Sequence, residues 1–341
     1  MCRTVNGADI NFKDCYERNI RSVIENGEVI FKDYISSCQK DGRGNICPVT
    51  IIMPTLAMQV DGEIGAKNVK EFIKLLDKKI HEAKDMLIER FNHICSQPAN
   101  AAKFMWENNT MEGYDPKEGI KSALKHGTIV IGQLGLAETL QILIGCDHTE
   151  ERGMDLAKEI EGLFNKRCKE FKEEYKLNFG VYYTPAENLC YTAMSKFKRM
   201  YGEIPKVSDK KYFTNSIHVP VWEEMDPFTK IDIESQLTGY SNAGCITYVE
   251  LPSSAKHNIE ALETIVNYAM EKDIPYFALN TIVDRCEDCG YTDEINECCP
   301  KCNSNNIQRL RRITGYLNGD YKTSFNKGKQ QEVLDRVKHI G

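Results

Sequence analysis

Residues 286–317 read CEDCGYTDEINECCPKCNSNNIQRLRRITGYL. Two cysteine pairs stand here, Cys286 with Cys289 and Cys299 with Cys302, each separated by two residues. That gap lets both thiolates of a pair face one ion from a tight turn. Gly290 and Pro300 supply turn chemistry beside and inside the pairs. The run between the pairs is short and suits a small ribbon, so the spacing predicts structural, tetrahedral zinc on Cys286, Cys289, Cys299 and Cys302. The other readings of these residues are reduced surface thiols and an iron–sulfur site. Cys298 is an extra thiol next to Cys299, so the second pair can slip by one residue; the C-P-x-C arrangement favours Cys299. Just beyond, residues 311–317 read RRITGYL, where Gly315 taken alone is a turn glycine before a Tyr-Leu strand.

Outside this stretch the 341 residues are 41% hydrophobic and 28% charged, ordinary for a globular chain with one large or two modest domains. A net charge of −6 argues against a general nucleic-acid or membrane surface and leaves room for a local phosphate site. No apolar run approaches membrane-spanning length, and the N-terminus lacks a signal-peptide pattern. Fourteen cysteines without a small-scaffold spacing point to a reducing cytoplasm rather than a disulfide framework.

Helical periodicity runs over residues 63–95, where Ile73, Leu76, Ile80, Leu87 and Phe91 recur at three- and four-residue steps. Residues 128–140 read as strand, glycine turn and helix start, and 154–175 as a second amphipathic helix. A strand over 178–184 runs into PAENLCYTAMSKFKRMYG, where Pro185 fits a first helical turn. A strand feeding a helix start presents unpaired amides and a favourable dipole, so an anion is expected near Thr184, Ala186, Glu187 and Asn188; the other reading is an ordinary strand-to-helix turn with Glu187 as a first-turn charge. A helix over 258–270 and a strand over 275–281 complete the pattern. Such alternation predicts α/β architecture, with about five parallel strands joined by crossover helices.

The four cysteines followed by RRITGYL resemble the C-terminal segment of the class III, oxygen-sensitive (anaerobic) ribonucleotide reductases, which are glycyl radical enzymes. Further segments carry the same resemblance: Cys2-Arg3-Thr4, the Gly42–Asn45 GRGN run, GLAE at 135–138, TPAE at 184–187, and YFTNSIHVPV at 212–221. At Cys245 the family often has histidine. The resemblance implies the second half of a ten-stranded α/β barrel over residues 1–283, with the loop that bears the thiyl cysteine. It implies a zinc-ribbon and glycyl radical domain over 284–341. Gly315 would carry the radical, since a planar centre at Cα meets no Cβ there. Cys2 would become the thiyl radical, and Asn45 would bond a ribose hydroxyl. Thr184, Ala186, Glu187, Asn188, Asn215 and His218 would line the ribonucleotide site. His218 also reads as a half-buried structural histidine.

By the same resemblance a radical-SAM activase with an iron–sulfur cluster would take hydrogen from Gly315, formate or a thiol system would supply electrons, and the protein would be a homodimer. Half a barrel leaves strand edges that need covering. We therefore expect the missing first half from another segment or chain. The rival readings are a non-catalytic zinc-ribbon interaction protein with a basic face at Arg309, Arg311 and Arg312, and a spare glycyl radical subunit.

Overall fold

Three strands set the frame. β1 (Asn45–Ile52), β2 (Thr128–Leu134) and β3 (Asn178–Tyr182) pair in parallel in that order. β4 (Thr247–Leu251) and β5 (Phe277–Thr281) form a second parallel pair. The two sheets meet where Tyr182 bridges Gly244 and the Tyr183 N–H donates to the Gly244 carbonyl at 3.0 Å. The structure, a computed structural model, describes residues 9–11, 23–25, 28–30, 44–111, 113–313 and 316–340. Five parallel strands stand among them, as the alternation predicts.

Every residue of β2 and β3 is buried, the signature of parallel strands covered on both faces. On one face Cys47, Ile51, Ile129, Ile131, Phe179 and Val181 join the main core under the helices. On the opposite face Val130 and Tyr182 pack with Ala243. Gly132 also belongs there: a Cβ on it would meet the Tyr182 carbonyl at 2.9 Å and the Thr184 methyl at 3.2 Å. Only glycine lets strand and turn approach this closely.

The main core is roofed by α1 (Val69–Cys95), α2 (Leu136–Ile144), α3 (Glu151–Tyr175) and α4 (Glu187–Tyr201). α1 buries Phe72, Leu76, Ile80, Ala83, Leu87 and Phe91 at helical spacing, each large side chain contributing roughly 1.5–3 kcal/mol. The sequence expects this helix from residue 63. Instead Gly62–Glu63 and Ala66–Lys67 form a short hairpin, and the Asn68 side chain accepts the Glu71 N–H at 3.2 Å to start the helix at Val69. Arg167 of α3 clamps Asp77 of α1 with two bonds of 2.6 and 2.8 Å. α5 (Pro227–Thr238) and α6 (Ile259–Glu271) pack beside β4 and β5 around Ile231, Val249 and Ile265.

The chain then turns antiparallel. β6 (Val283–Cys286), β7 (Thr292–Asp293), β8 (Ile307–Ile313) and β9 (Tyr316–Asp320) form a sheet in the order β7-β6-β8-β9. After α7 (Lys327–Asp335) the tail returns to the parallel body: Val337 N–H donates to Val221 at 3.0 Å, and His339 N–H to Glu250 at 2.7 Å. No described helix is long and apolar enough to cross a membrane.

Candidate metal centre and substrate face

The two cysteine pairs fold into matching knuckles. In the first, Cys286 N–H donates to Tyr291 O at 2.8 Å and Gly290 N–H to Cys286 O at 2.9 Å. In the second, Cys299 N–H donates to Ser304 O at 2.8 Å and Asn303 N–H to Cys299 O at 2.8 Å. Gly290 and Asn303, each four residues after the first cysteine of its pair, turn through left-handed φ of 72° and 59°. The four sulfurs of Cys286, Cys289, Cys299 and Cys302 lie within 4.8 Å of one another, with Cys286 to Cys302 and Cys289 to Cys299 at 3.5 Å. A tetrahedral thiolate site with bonds of ~2.3 Å sets its sulfurs roughly 3.8 Å apart, so this set fits an ion. Burial pushes the Cys299 thiol up, but the amides of Cys302 and Lys301 and the neighbouring thiols outweigh it and bring the group to about 7. Despite the Ser304 amide, Cys302 is pushed up to about 12 by Cys289 and burial, so the thiols titrate together. Such amides favour the thiolate that a metal needs. Cys298 lies outside the set, its thiol turned to Asn303 Oδ1 at 3.1 Å. The register is therefore the unslipped one.

Beyond the knuckles Arg309 and Arg311 both reach Asp284, whose carboxylate is fully buried, while the Arg312 guanidinium stacks 5.7 Å over Tyr248. The basic run is thus largely consumed within the sheet and offers little outward face. Ile313 pairs with Tyr316 across β8 and β9. Gly315, between them in sequence, and Cys2 lie outside the described residues.

The turn after β3 departs from its sequence reading. Ala186 and Glu187 have φ of 50° and 36°, so α4 starts at Glu187 and Pro185 stays outside it. Thr184 Oγ1 accepts the Ala186 N–H at 3.1 Å. Ser216, with φ of 42°, donates its hydroxyl to Thr184 O at 2.8 Å. Asn215 Oδ1 accepts the Cys190 thiol at 3.0 Å. So the TPAE and TNS segments, distant in sequence, are held together by hydrogen bonds, with three non-glycine residues in left-handed conformations. Strain of this kind collects at binding sites. Asn188 Oδ1 accepts Asn326 Nδ2 at 2.6 Å, which ties the same turn to the tail.

His218 is nearly buried, its Nδ1 3.4 Å from both carboxylate oxygens of Glu234. Burial raises the Glu234 carboxyl, but Lys230 and His218 outweigh it and hold the group well below the usual range. Asn45 stands level with Thr128 and Asn178 at the start of the sheet. Thr184 lies beyond the end of β3 with its methyl beside Gly132, which is level with Tyr182, four residues or roughly 13 Å along the strand from Asn178 at ~3.3 Å per residue. Asn45 Nδ2 donates to Ala243 O at 3.4 Å, and its buried Oδ1 finds no partner among the described residues. Sequence reasoning missed Glu138. Its Oε1 accepts the Thr214 N–H at 2.7 Å and the Thr214 hydroxyl at 2.8 Å. Burial pushes this carboxyl up to about 7 against those two bonds. GLAE drew notice as a glycine turn, and nothing local marked its acid as a partner of a residue 76 positions away.

The parallel-stranded α/β fold is similar to that of solved reductases. The chain superposes on a structure of an anaerobic ribonucleotide reductase with a TM-score of 0.71 at 21% identity, covering 88% of this chain and 46% of that one. The Thermotoga maritima enzyme with glycerol in the active site gives 0.68 at 20% identity, covering 89% and 49%. The sequence profile described as anaerobic ribonucleoside-triphosphate reductase matches residues 2–339. The anaerobic ribonucleoside-triphosphate reductase of Escherichia coli (strain K12) is 34% identical over 339 residues, covering 93% of this chain and 44% of that protein. The phage T4 protein of the same name is 32% identical over 322 residues, covering 91% and 51%. The chain belongs to the anaerobic ribonucleoside-triphosphate reductase family, and it spans about half the length of these curated relatives.

Proposed function

We propose that the chain carries the radical-bearing part of an anaerobic ribonucleoside-triphosphate reductase, making 2′-deoxyribonucleotides by glycyl and thiyl radical chemistry. The observation that carries this reading is the family match over residues 2–339, which includes Cys2, the four cysteines and Gly315. An activase of the radical-SAM class removes one α-hydrogen from Gly315. Gly315 then regains a hydrogen atom from the Cys2 thiol, so a C–H bond forms and an S–H bond breaks. The sulfur takes the C3′ hydrogen of the ribonucleotide, and the 2′-hydroxyl leaves with a proton as water. Formate or a thiol pair supplies the two electrons, and the C3′ hydrogen returns. Protein side chains orient the substrate and keep water out of the site.

In this reading Asn45 Oδ1, buried and without a described partner, accepts a ribose hydroxyl. Phosphates lie against Thr184, Ala186, Glu187 and Asn188, beside Asn215 and His218; the strained turns and the start of α4 support that assignment. Zinc on Cys286, Cys289, Cys299 and Cys302 is structural, because four thiolates leave no open position. It steadies the sheet that leads to Gly315. We divide the chain at 283/284, with a half-barrel body and a zinc and radical domain. Strands β1 and β5 stand at the ends of their sheets with no described strand beyond, so another segment or chain bearing the first barrel half would cover them. We assign a homodimer in a reducing cytoplasm, with neither nucleic acid nor membrane as partner.

The test is anaerobic EPR after mixing with a cognate activase. Wild type should give a glycyl doublet that Gly315→Ala abolishes. A doublet that persists in the variant removes Gly315 from the mechanism.

A further inference from the structure

We infer that Glu138 is a positioning residue: through Thr214 and Ser216 it braces the turn proposed above to hold substrate phosphates, and the inference rests on that reading. An acid in the first turn of a helix ordinarily faces water and meets the helix dipole. Glu138 does otherwise. It is 2% exposed, and its carboxylate is spent on one residue of a distant loop. Thr214 is gripped on three sides, since Gly135 N–H also donates to its carbonyl at 3.1 Å. The brace then passes along the chain. Asn215 takes the thiol of Cys190 in α4, and Ser216 reaches Thr184 at 2.8 Å. Thr184 in turn holds the Ala186 amide at 3.1 Å.

The path therefore starts on α2 and ends on the two left-handed residues that open α4. A residue chosen for packing alone would be apolar here, because a buried carboxylate oxygen without a partner is destabilising and Glu138 Oε2 finds none among the described residues. Left-handed conformations at Ser216, Ala186 and Glu187 persist only when their surroundings over-determine them. The Glu138 carboxylate provides that constraint at its root. When it is lost, the turns relax, and the amides that open α4 no longer converge on an anion.

The experiment measures binding to the full chain by titration calorimetry, with CTP, tripolyphosphate and cytidine as probes. Four proteins are compared: wild type, E138A, E138Q and T214V. E138A should bind CTP and tripolyphosphate about tenfold more weakly, the weight of roughly one hydrogen bond. E138Q should stay within about twofold, because its amide oxygen still accepts both Thr214 donors. A role in folding alone would leave the affinity of the folded molecules unchanged. E138A that binds CTP as wild type does, with unaltered near-UV circular dichroism, overturns the role of Glu138 and leaves the proposed function standing. Wild type that binds neither CTP nor tripolyphosphate overturns the phosphate site at this turn and the role of Glu138 with it. Should E138A fail to fold, T214V decides: weakening of about threefold supports the brace, and unchanged affinity overturns it.

Discussion

In the cysteine ribbon the thiols that meet are close in sequence, the widest pair, Cys286 and Cys302, being 16 residues apart. On the parallel-sheet face Asn45 meets Ala243 across 198 residues, Asn188 meets Asn326 across 138, and Glu138 meets Thr214 across 76. The ribbon closes short loops at little entropic cost and depends on one cluster for its core; besides Cys286 and Cys299 its buried apolar residue is Ile295. The sheet face depends on many crossovers at once, with no single centre. Damage should therefore be total and local in the ribbon, and partial and spread out in the body.

The sharpest break of that contrast is removal of a ligand. Cys286→Ser should abolish bound zinc and unfold the ribbon, since structural zinc supplies about 10–16 kcal/mol of apparent binding free energy in small zinc domains. Elemental analysis should fall from one zinc per chain to none, and limited proteolysis should cut within residues 284–313 while the parallel body resists. A body that melts along with the ribbon would show that the two regions are one cooperative unit.

The next largest effect tests the tail. Lys329 and Glu332 are each 1% exposed and 2.6 Å apart on α7. Glu332 also meets Arg336 at 3.0 Å, and Arg336 contacts Glu250 of β4. Lys329→Ala strands part of a buried charge network and should cost about 3 kcal/mol. Urea denaturation reads the loss, and zinc content should not change. Zinc lost together with tail anchoring would make the ribbon depend on the body.

A graded, pH-dependent effect lies inside the sheet-to-helix layer. Burial raises the Glu161 carboxyl to about 8, against hydrogen bonds from Tyr183 and Gln133. Its ordinary value is 4.5. Below that pH both folded and unfolded chains hold the proton. Between 4.5 and 8 only the folded chain does, so stability falls as pH rises and the loss is complete above 8. Over the whole interval it amounts to roughly 5 kcal/mol at most. Glu161→Gln should flatten this slope, with thermal melts at pH 5 alike and the variant higher at pH 9. Parallel slopes for both proteins would remove Glu161 as the source.

What could be read in advance follows from the same contrast. Helices α1 and α3 and strand β2 announce themselves, because each repeats its own period along the chain. The cysteine knuckles do too, since ligand spacing is a local property. Glu138 was invisible, because its partner lies in another loop and an acid near a helix start looks like ordinary capping. The start of α4 was misread at Pro185 for a related reason. Ala186 and Glu187 adopt left-handed φ under tertiary constraint from Thr184 and Ser216, which no propensity scale encodes. His218 is the intermediate case: its burial is foreseen, and its contact with the Glu234 carboxylate is not.

The smallest expected effect is the most discriminating for the local half of the contrast. Cys298 and Cys299 are the same residue type, side by side, and spacing alone leaves a slip of one residue open. The backbone decides between them. Only with Cys299 as the first ligand do the second knuckle's bonds, Cys299 to Ser304 and Asn303 to Cys299, repeat those of the first. Asn303 then holds the left-handed position that Gly290 holds in its counterpart. Cys298→Ser should leave zinc at one per chain and stability within about 0.5 kcal/mol, as for a surface substitution. Cys299→Ser should empty the site as Cys286→Ser does. The reverse pattern, zinc lost from the Cys298 variant and kept by the Cys299 variant, would mean that the ion selects the slipped register. The symmetry of the two knuckles would then be a property of the backbone alone.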